Sequence, residues 1–290
     1  MFPDHRVLTS GLARRLSLVL MTAVLAALGP RAQALTLHFW PANISVRAKP
    51  GQIINRTFNL TLSGKSAATR YKARIEDWWR SADNSSTFYA APGTLGRSCG
   101  NWCSVNPIEA EVKPGEKLTV RVSLRVPDDA QPGGYWAALT LDEVPDPTAP
   151  KPAGVGMILR GSVAMGIFVE VPDAKRSARL TAIKVVGDRV SVTVCNDGNM
   201  PLRINPTFEF YRPGEEKAAA KVELPGEPLL PEPNSTCEFG GRLPPPTELP
   251  SGKYRIRVIV DAGLDYLMGA EKTLDITRTE PGKSPVTSDQ

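Results

Sequence analysis

Few residues in this chain could carry acid–base, nucleophilic or metal chemistry. The histidines are His5 and His38, and the cysteines are Cys99, Cys103, Cys195 and Cys237. General acid–base and nucleophilic catalysis need titratable or activatable groups gathered in one pocket. The acidic doublets Glu76-Asp77 and Asp142-Glu143 could in principle pair, but they read as solvated charges at strand ends. No Gly-rich phosphate loop leads into a helical segment. Structural zinc is held by Cys and His at short, repeated spacings, and these four cysteines do not have them. The expectation is a protein with no catalytic residues, no metal and no cofactor, acting through surface contact.

Part of the chain reads as an export leader. Arg6, Arg14 and Arg15 precede an apolar run from Leu16 to Leu28, followed by Gly29-Pro30 and Ala32-Gln33-Ala34. That basic, apolar and small-residue order is the pattern of a secretory signal peptide, with cleavage expected after Ala34. The run of 13 residues is short for a bilayer-spanning helix, which needs about 20; an uncleaved anchor is the alternative. Residues 1–34 hold four Arg and one Asp, so the chain beyond them carries +2 of the total +5. No basic cluster interleaved with aromatics points to nucleic acid. In an exported protein an even number of cysteines reads as disulfides. The simplest pairing is Cys99–Cys103, within Cys-Gly-Asn-Trp-Cys, and Cys195–Cys237.

The elements that would position any binding surface are strands. Leu118, Val120, Val122, Leu124 and Val126 alternate with polar residues, as do Phe58, Leu60 and Leu62. Val190, Val192 and Val194 repeat the pattern, and so do Tyr254, Ile256, Val258 and Val260. Period-two alternation is the mark of a half-buried strand. Turn residues punctuate these runs at Lys49-Pro-Gly51, Lys113-Pro-Gly115, Gln131-Pro-Gly-Gly134, Asn196-Asp-Gly198 and Pro250-Ser-Gly252. Many short strands between Pro/Gly turns give an all-β fold, two tandem immunoglobulin-like β-sandwiches. The expected boundaries are a first domain over residues 35–172, a second over 178–278, and a disordered tail over 279–290. Residues 79–106 read as a long loop pinned by Cys99–Cys103, and 145–154 as a proline-rich connection.

The order of features in the first domain resembles the N-terminal domain of PapD-like periplasmic pilus chaperones. The matching pieces are Phe58–Leu62, Tyr71–Trp78, Asn106–Gly115 running into Leu118–Val126, Tyr135–Pro145 and a long strand Val155–Val169. The order is also similar to the first domain of cell-surface proteins that bind WxL-type wall proteins. The second domain is similar to many bacterial immunoglobulin-like modules. The chaperone resemblance implies a periplasmic or secreted protein whose last strand of the first domain pairs with a strand of an exported, pilin-like client. In β-augmentation of this kind main-chain bonds give affinity and alternate side chains give specificity.

On that resemblance the partner-binding residues are Met157, Leu159, Val163, Met165 and Ile167, which share one parity of the strand, together with Arg160. The family also holds its client's terminal carboxylate with two basic residues between the domains. Arg47 or Lys49 is the nearest match for the first, while Met165 or its neighbours stand where a lysine would be the second. Two alternatives stay open. The strand could be an ordinary one buried in its own domain, and the chain could be a cell-envelope structural or adhesive module. In that module the aromatics Trp78, Trp79, Phe88, Tyr89 and Trp102 would make the contact.

Overall fold

The computed structural model describes residues 36–63, 68–145 and 161–278; the leader, the tail, and Met157, Leu159 and Arg160 lie outside them. In chain order the first half has β1 (Thr36–Trp40), β2 (Asn43–Arg47), β3 (Ile53–Ser63), β4 (Thr69–Arg80) and β5 (Thr87–Ala90). These are followed by β6 (Cys103–Asn106), β7 (Glu109–Val112), β8 (Lys117–Arg125), β9 (Gly133–Val144) and β10 (Ser162–Val171). The second half has β11 (Ala178–Val186), β12 (Arg189–Asn196), β13 (Leu202–Tyr211), β14 (Ala220–Glu223) and β15 (Glu227–Leu229). It closes with β16 (Thr236–Arg242), β17 (Gly252–Asp261) and β18 (Met268–Ile276).

Each half is a two-layer sandwich, so the fold is all-β. One sheet of the first runs β1-β3-β8-β6, the other β2-β10-β9-β4-β5 with β7 also on β4. The alternation in the sequence becomes the core. Phe58, Leu60 and Leu62 of β3 and Val120, Val122 and Leu124 of β8 face Tyr71 of β4, Leu139 and Leu141 of β9, and Met165, Ile167 and Val169 of β10. Full burial of each such side chain contributes about 1.5–3 kcal/mol of transfer free energy. The second sandwich stacks β11-β12-β16 on β14-β13-β17-β18. Val190, Val192, Val194 and Phe239 there meet Phe208, Phe210, Ile256 and Val258.

Both sandwiches carry the same local device. Tyr135 Oη donates to the Gln131 carbonyl at 2.9 Å and Tyr254 Oη to the Pro250 carbonyl at 3.1 Å. A tyrosine bonding back to the backbone a few residues upstream is the corner of immunoglobulin-like sandwiches. In each case it follows directly on one of the Pro/Gly turns read from the sequence.

β9 departs from simple alternation, because it is buried on both faces from Gly133 to Leu141. Its second face, with Trp136 and Ala138, is covered by Trp78 and by Leu230 of the second sandwich. Gly134 allows that approach: a Cβ there would stand 2.3 Å from Pro201 Cδ and 2.7 Å from Met200 Sδ.

Two expectations are corrected here. Residues 79–106 are not one pinned loop. β4 and β5 form a hairpin (Asp77↔Ala90 to Arg80↔Thr87), and a 3-10 turn at Gly100–Trp102 leads into β6. The four cysteines are unbridged in this structure, and a Cys195–Cys237 bridge does not fit the register. Val194 lies opposite Cys237, and Cys195 opposite Thr236. Cys237 therefore shares the core face with Val194, while Cys195 projects from the other face toward Arg179 and Asp197. A one-residue offset reverses the face because strand side chains alternate with period two.

Candidate protein-binding site

The predicted contact strand is β10, and its two edges are not alike. Along one edge β9 pairs with it antiparallel from Ser162↔Asp142 to Val171↔Gly133. Along the other, β2 pairs with it in parallel only from Gly166↔Asn43 to Glu170↔Arg47. The Glu143 N–H donates to the Gly161 carbonyl at 3.0 Å, so odd-numbered residues of β10 turn their backbone groups to β9. The Gly166 N–H donates to Ala42 O at 3.1 Å, and the Ala48 N–H to Glu170 O at 2.9 Å, so even-numbered residues face β2. Above Gly166 that edge has no partner strand among the described residues. The backbone groups of Ser162 and Ala164 therefore face outward, on exposed residues. An unpaired edge of this kind is a template for another strand.

The side chains fall differently from the expectation. Met165 and Ile167 are 0% exposed inside their own sandwich, and Val163 is half-buried against the same core. The physical reason is the pairing itself: a strand held by neighbours on both edges must turn one face to its own core, and this is the apolar parity. Arg47 stays on the surface, its Nε 3.7 Å from Glu170, with 68% of its side chain exposed.

The opposite parity of β10, with Gly166, Phe168 and Glu170, lines a cleft of about 650 Å³ between the two sandwiches. Phe168 lies edge-on to Trp78, with ring centroids 6.1 Å apart, and a Cβ on Gly166 would come within 2.7 Å of the Phe168 ring. Among the described residues, the charged side chains lining the cleft are Arg47, Arg176, Arg203 and Glu170. Arg176 Nη2 bonds Glu170 at 2.7 Å. Three guanidiniums against one carboxylate, beside an aromatic wall, suit an anionic group with an apolar neighbour. Arginine is the side chain that meets a carboxylate in bidentate geometry. Sequence reading singled out only Arg47. Arg176 carried a weak signal as part of the polar linker, and Arg203 carried none, being one of many strand arginines.

The carboxylates divide. Arg74 bonds Asp142 at 2.6 Å and Glu76 at 2.7 Å, and its hydrogen bond holds the Asp142 carboxyl below its ordinary pKa. Asp77 is not solvated as expected: it is 0% exposed and accepts from the Leu95 N–H at 2.8 Å and from Ser98 Oγ. Gly96-Arg97-Ser98-Cys99-Gly100 has the Gly-x-Ser-x-Gly spacing, where no nucleophile elbow is expected from the sequence. Its Ser98 bonds Asp77, Gly93 and Gly100 and sits in a loop, not at a strand-to-helix elbow. His38 is exposed on β1. Much of the aromatic loop is packed: Trp78 is 8% exposed and Trp102 lies 4.4 Å from the Tyr135 ring, whereas Phe88 and Tyr89 are exposed.

No family profile matches the chain, and no curated protein matches it in sequence. Solved structures do. The chain is similar to fimbrial chaperones. A Pseudomonas aeruginosa chaperone, CupB2, is 13% identical over 83% of this chain and all of its own, with a TM-score of 0.42. The SafB chaperone–SafA pilin complex of Salmonella enterica gives 13% identity, 81% and 95% coverage and a TM-score of 0.41. The E. coli chaperone DraB gives 14% identity, 83% and 98% coverage and a TM-score of 0.38.

Proposed function

We propose that this chain is an exported, non-catalytic protein-binding protein of chaperone type that pairs the open edge of β10 with a strand of an exported, pilin-like client. The observation that carries the reading is the unequal cover of β10. β2 stops at Gly166, and Ser162 and Ala164 present backbone donors and acceptors to solvent. A client strand added there would continue the sheet of the first sandwich, bonding the main chain of β10 and touching Val163 and Ala164. The cleft beside it would receive an anionic group of the same client, such as a terminal carboxylate, on Arg47, Arg176 and Arg203. The leader-like N-terminus supports a periplasmic or secreted location.

The test is Ala164→Pro. Proline removes a backbone donor and is tolerated on a strand edge whose N–H faces solvent. The variant is expected to keep the thermal stability of the parent and to lose capture of its client from envelope extract. Amide exchange at Ser162 and Ala164 should slow on client binding to the parent. Undiminished capture by a folded Ala164→Pro protein, or protection confined to other strands, refutes the assignment.

A further inference from the structure

Cys99 and Cys103 take no part in the reading above, yet the fold holds them together. Cys99 caps the 3-10 turn Gly100–Trp102, and the Trp102 N–H returns to the Cys99 carbonyl at 3.0 Å. Cys103 Sγ points back across the turn and donates to the same carbonyl at 3.3 Å. Cys99 belongs to the core of the first sandwich, and Cys103 packs against that same core. The turn is fixed from several sides. The Cys99 N–H donates to the Trp136 carbonyl at 3.2 Å, Trp102 packs on Tyr135, and a Cβ on Gly100 would stand 2.6 Å from Pro92 Cβ. Cys195 and Cys237 lie in the other sandwich on opposite faces of one sheet.

We propose that Cys99 and Cys103 are a disulfide-forming pair, with Cys103 as the attacking thiol and Cys99 as the resolving one. The asymmetry follows from exposure: Cys103 is half-exposed, whereas Cys99 is 0% exposed. Burial, and after it the neighbouring Cys103, also push the Cys99 thiol well above its ordinary pKa. The oxidant is a small disulfide, R–S–S–R. Cys103, as thiolate, attacks one sulfur; the S–S bond breaks, one thiolate RS⁻ leaves, and Cys103–S–S–R forms. Cys99 gives up its proton, and its sulfur attacks Cys103 Sγ, expelling the second RS⁻. Two cysteine thiols are oxidised and one external disulfide is reduced, the two cysteine protons ending on the two released thiols. Thiol–disulfide exchange proceeds through such a mixed disulfide.

The closed form would clamp the segment that joins the two sandwiches here. Arg97, two residues before Cys99, donates its backbone N–H to Glu232 of the second sandwich at 2.7 Å. The inference is independent of the client-binding reading, and its test involves no client. The full chain is incubated with glutathione disulfide, alkylated and digested with trypsin. Cleavage after Arg97 and Lys117 leaves both cysteines in one peptide. The expected product is that peptide lighter by two hydrogens, without alkyl groups and without retained glutathione. In Cys99→Ala the Cys103–glutathione adduct should persist, and in Cys103→Ala Cys99 should take up no glutathione. Both single-variant results are read only on protein with the parent's circular dichroism, while the parent's peptide mass stands by itself. A glutathione adduct persisting on parent Cys103, Cys99 linked to Cys195 or Cys237, or Cys99 glutathionylated first would each overturn the proposal.

Discussion

Deleting both ends of the Arg80–Glu227 contact asks how firmly the β4–β5 hairpin fastens one sandwich to the other. Glu227, on β15, accepts from Arg80 Nη2 at 2.7 Å and from Asn84 Nδ2 at 2.7 Å. Arg80 also bonds Asn84 and Thr87 within its own hairpin. The side chains are 24% and 38% exposed. A fully exposed ion pair is worth about 0–1 kcal/mol, whereas hydrogen bonds to charged groups reach about 1.5–3 kcal/mol each when shielded. Partial exposure puts the Arg80–Glu227 coupling between these, at about 1–2 kcal/mol. The assay is a double-mutant cycle of Arg80→Ala and Glu227→Ala in urea, followed by the fluorescence of Trp78 and Trp136 at the joint. Arg80→Ala should cost more than Glu227→Ala, because it also loses the bonds inside the hairpin. The coupling should shrink in high salt, where the Debye length falls to about 3 Å at 1 M. Additivity within about 0.3 kcal/mol would refute the reasoning. It would mean that bonds to the hairpin's backbone carbonyls alone, Glu238 N–H to Ala82 O at 2.9 Å and Asn234 Nδ2 to Arg80 O at 2.7 Å, seat the hairpin.

Three further outcomes follow from the same geometry. Met165→Ala should destabilise the first sandwich by about 2–5 kcal/mol in denaturant unfolding, since Met165 is fully buried. A surface-contact role would leave stability unchanged. Gly134→Ala should cost about 1–3 kcal/mol by overpacking against Pro201 and Met200, with the loss read as earlier separation of the two sandwiches in limited proteolysis. For Asp142→Asn the sign is set by Arg74, whose hydrogen bond lowers the carboxyl pKa in the folded state. The stabilisation is fully present above the unfolded value of about 3.9 and is lost as pH falls through the folded one. The melting temperatures of parent and variant should therefore differ at neutral pH and converge in acid.

The fold class was legible because strand periodicity is local. Alternation at Phe58–Leu62, Leu118–Val126 and Tyr254–Val260 marks the buried face whatever the strand later pairs with, and Pro/Gly turns mark the ends. Cysteine pairing was not legible in the same way, since Cys195 and Cys237 lie on adjacent strands and only the register reveals that they face apart. The same holds for β10. Its apolar parity is plain in the sequence, but whether that parity faces a client or the protein's own core depends on its neighbours. β9 on one edge and β2 on part of the other turned Met165 and Ile167 inward and left the backbone of Ser162 and Ala164 outward. Arg176 and Arg203 became cleft residues only when the second sandwich docked on the outer face of β9 and β10.

By itself, then, the sequence determined the all-β character, the apolar parity of the alternating strands and the places where the chain turns, because those are set by neighbours along the chain. Tertiary structure alone decided which edge stays unpaired, that Cys195 and Cys237 face apart, and which arginines share a cleft. Each of these depends on contacts between segments tens of residues apart, and a one-residue change of register would alter them without changing the pattern from which the strands were read.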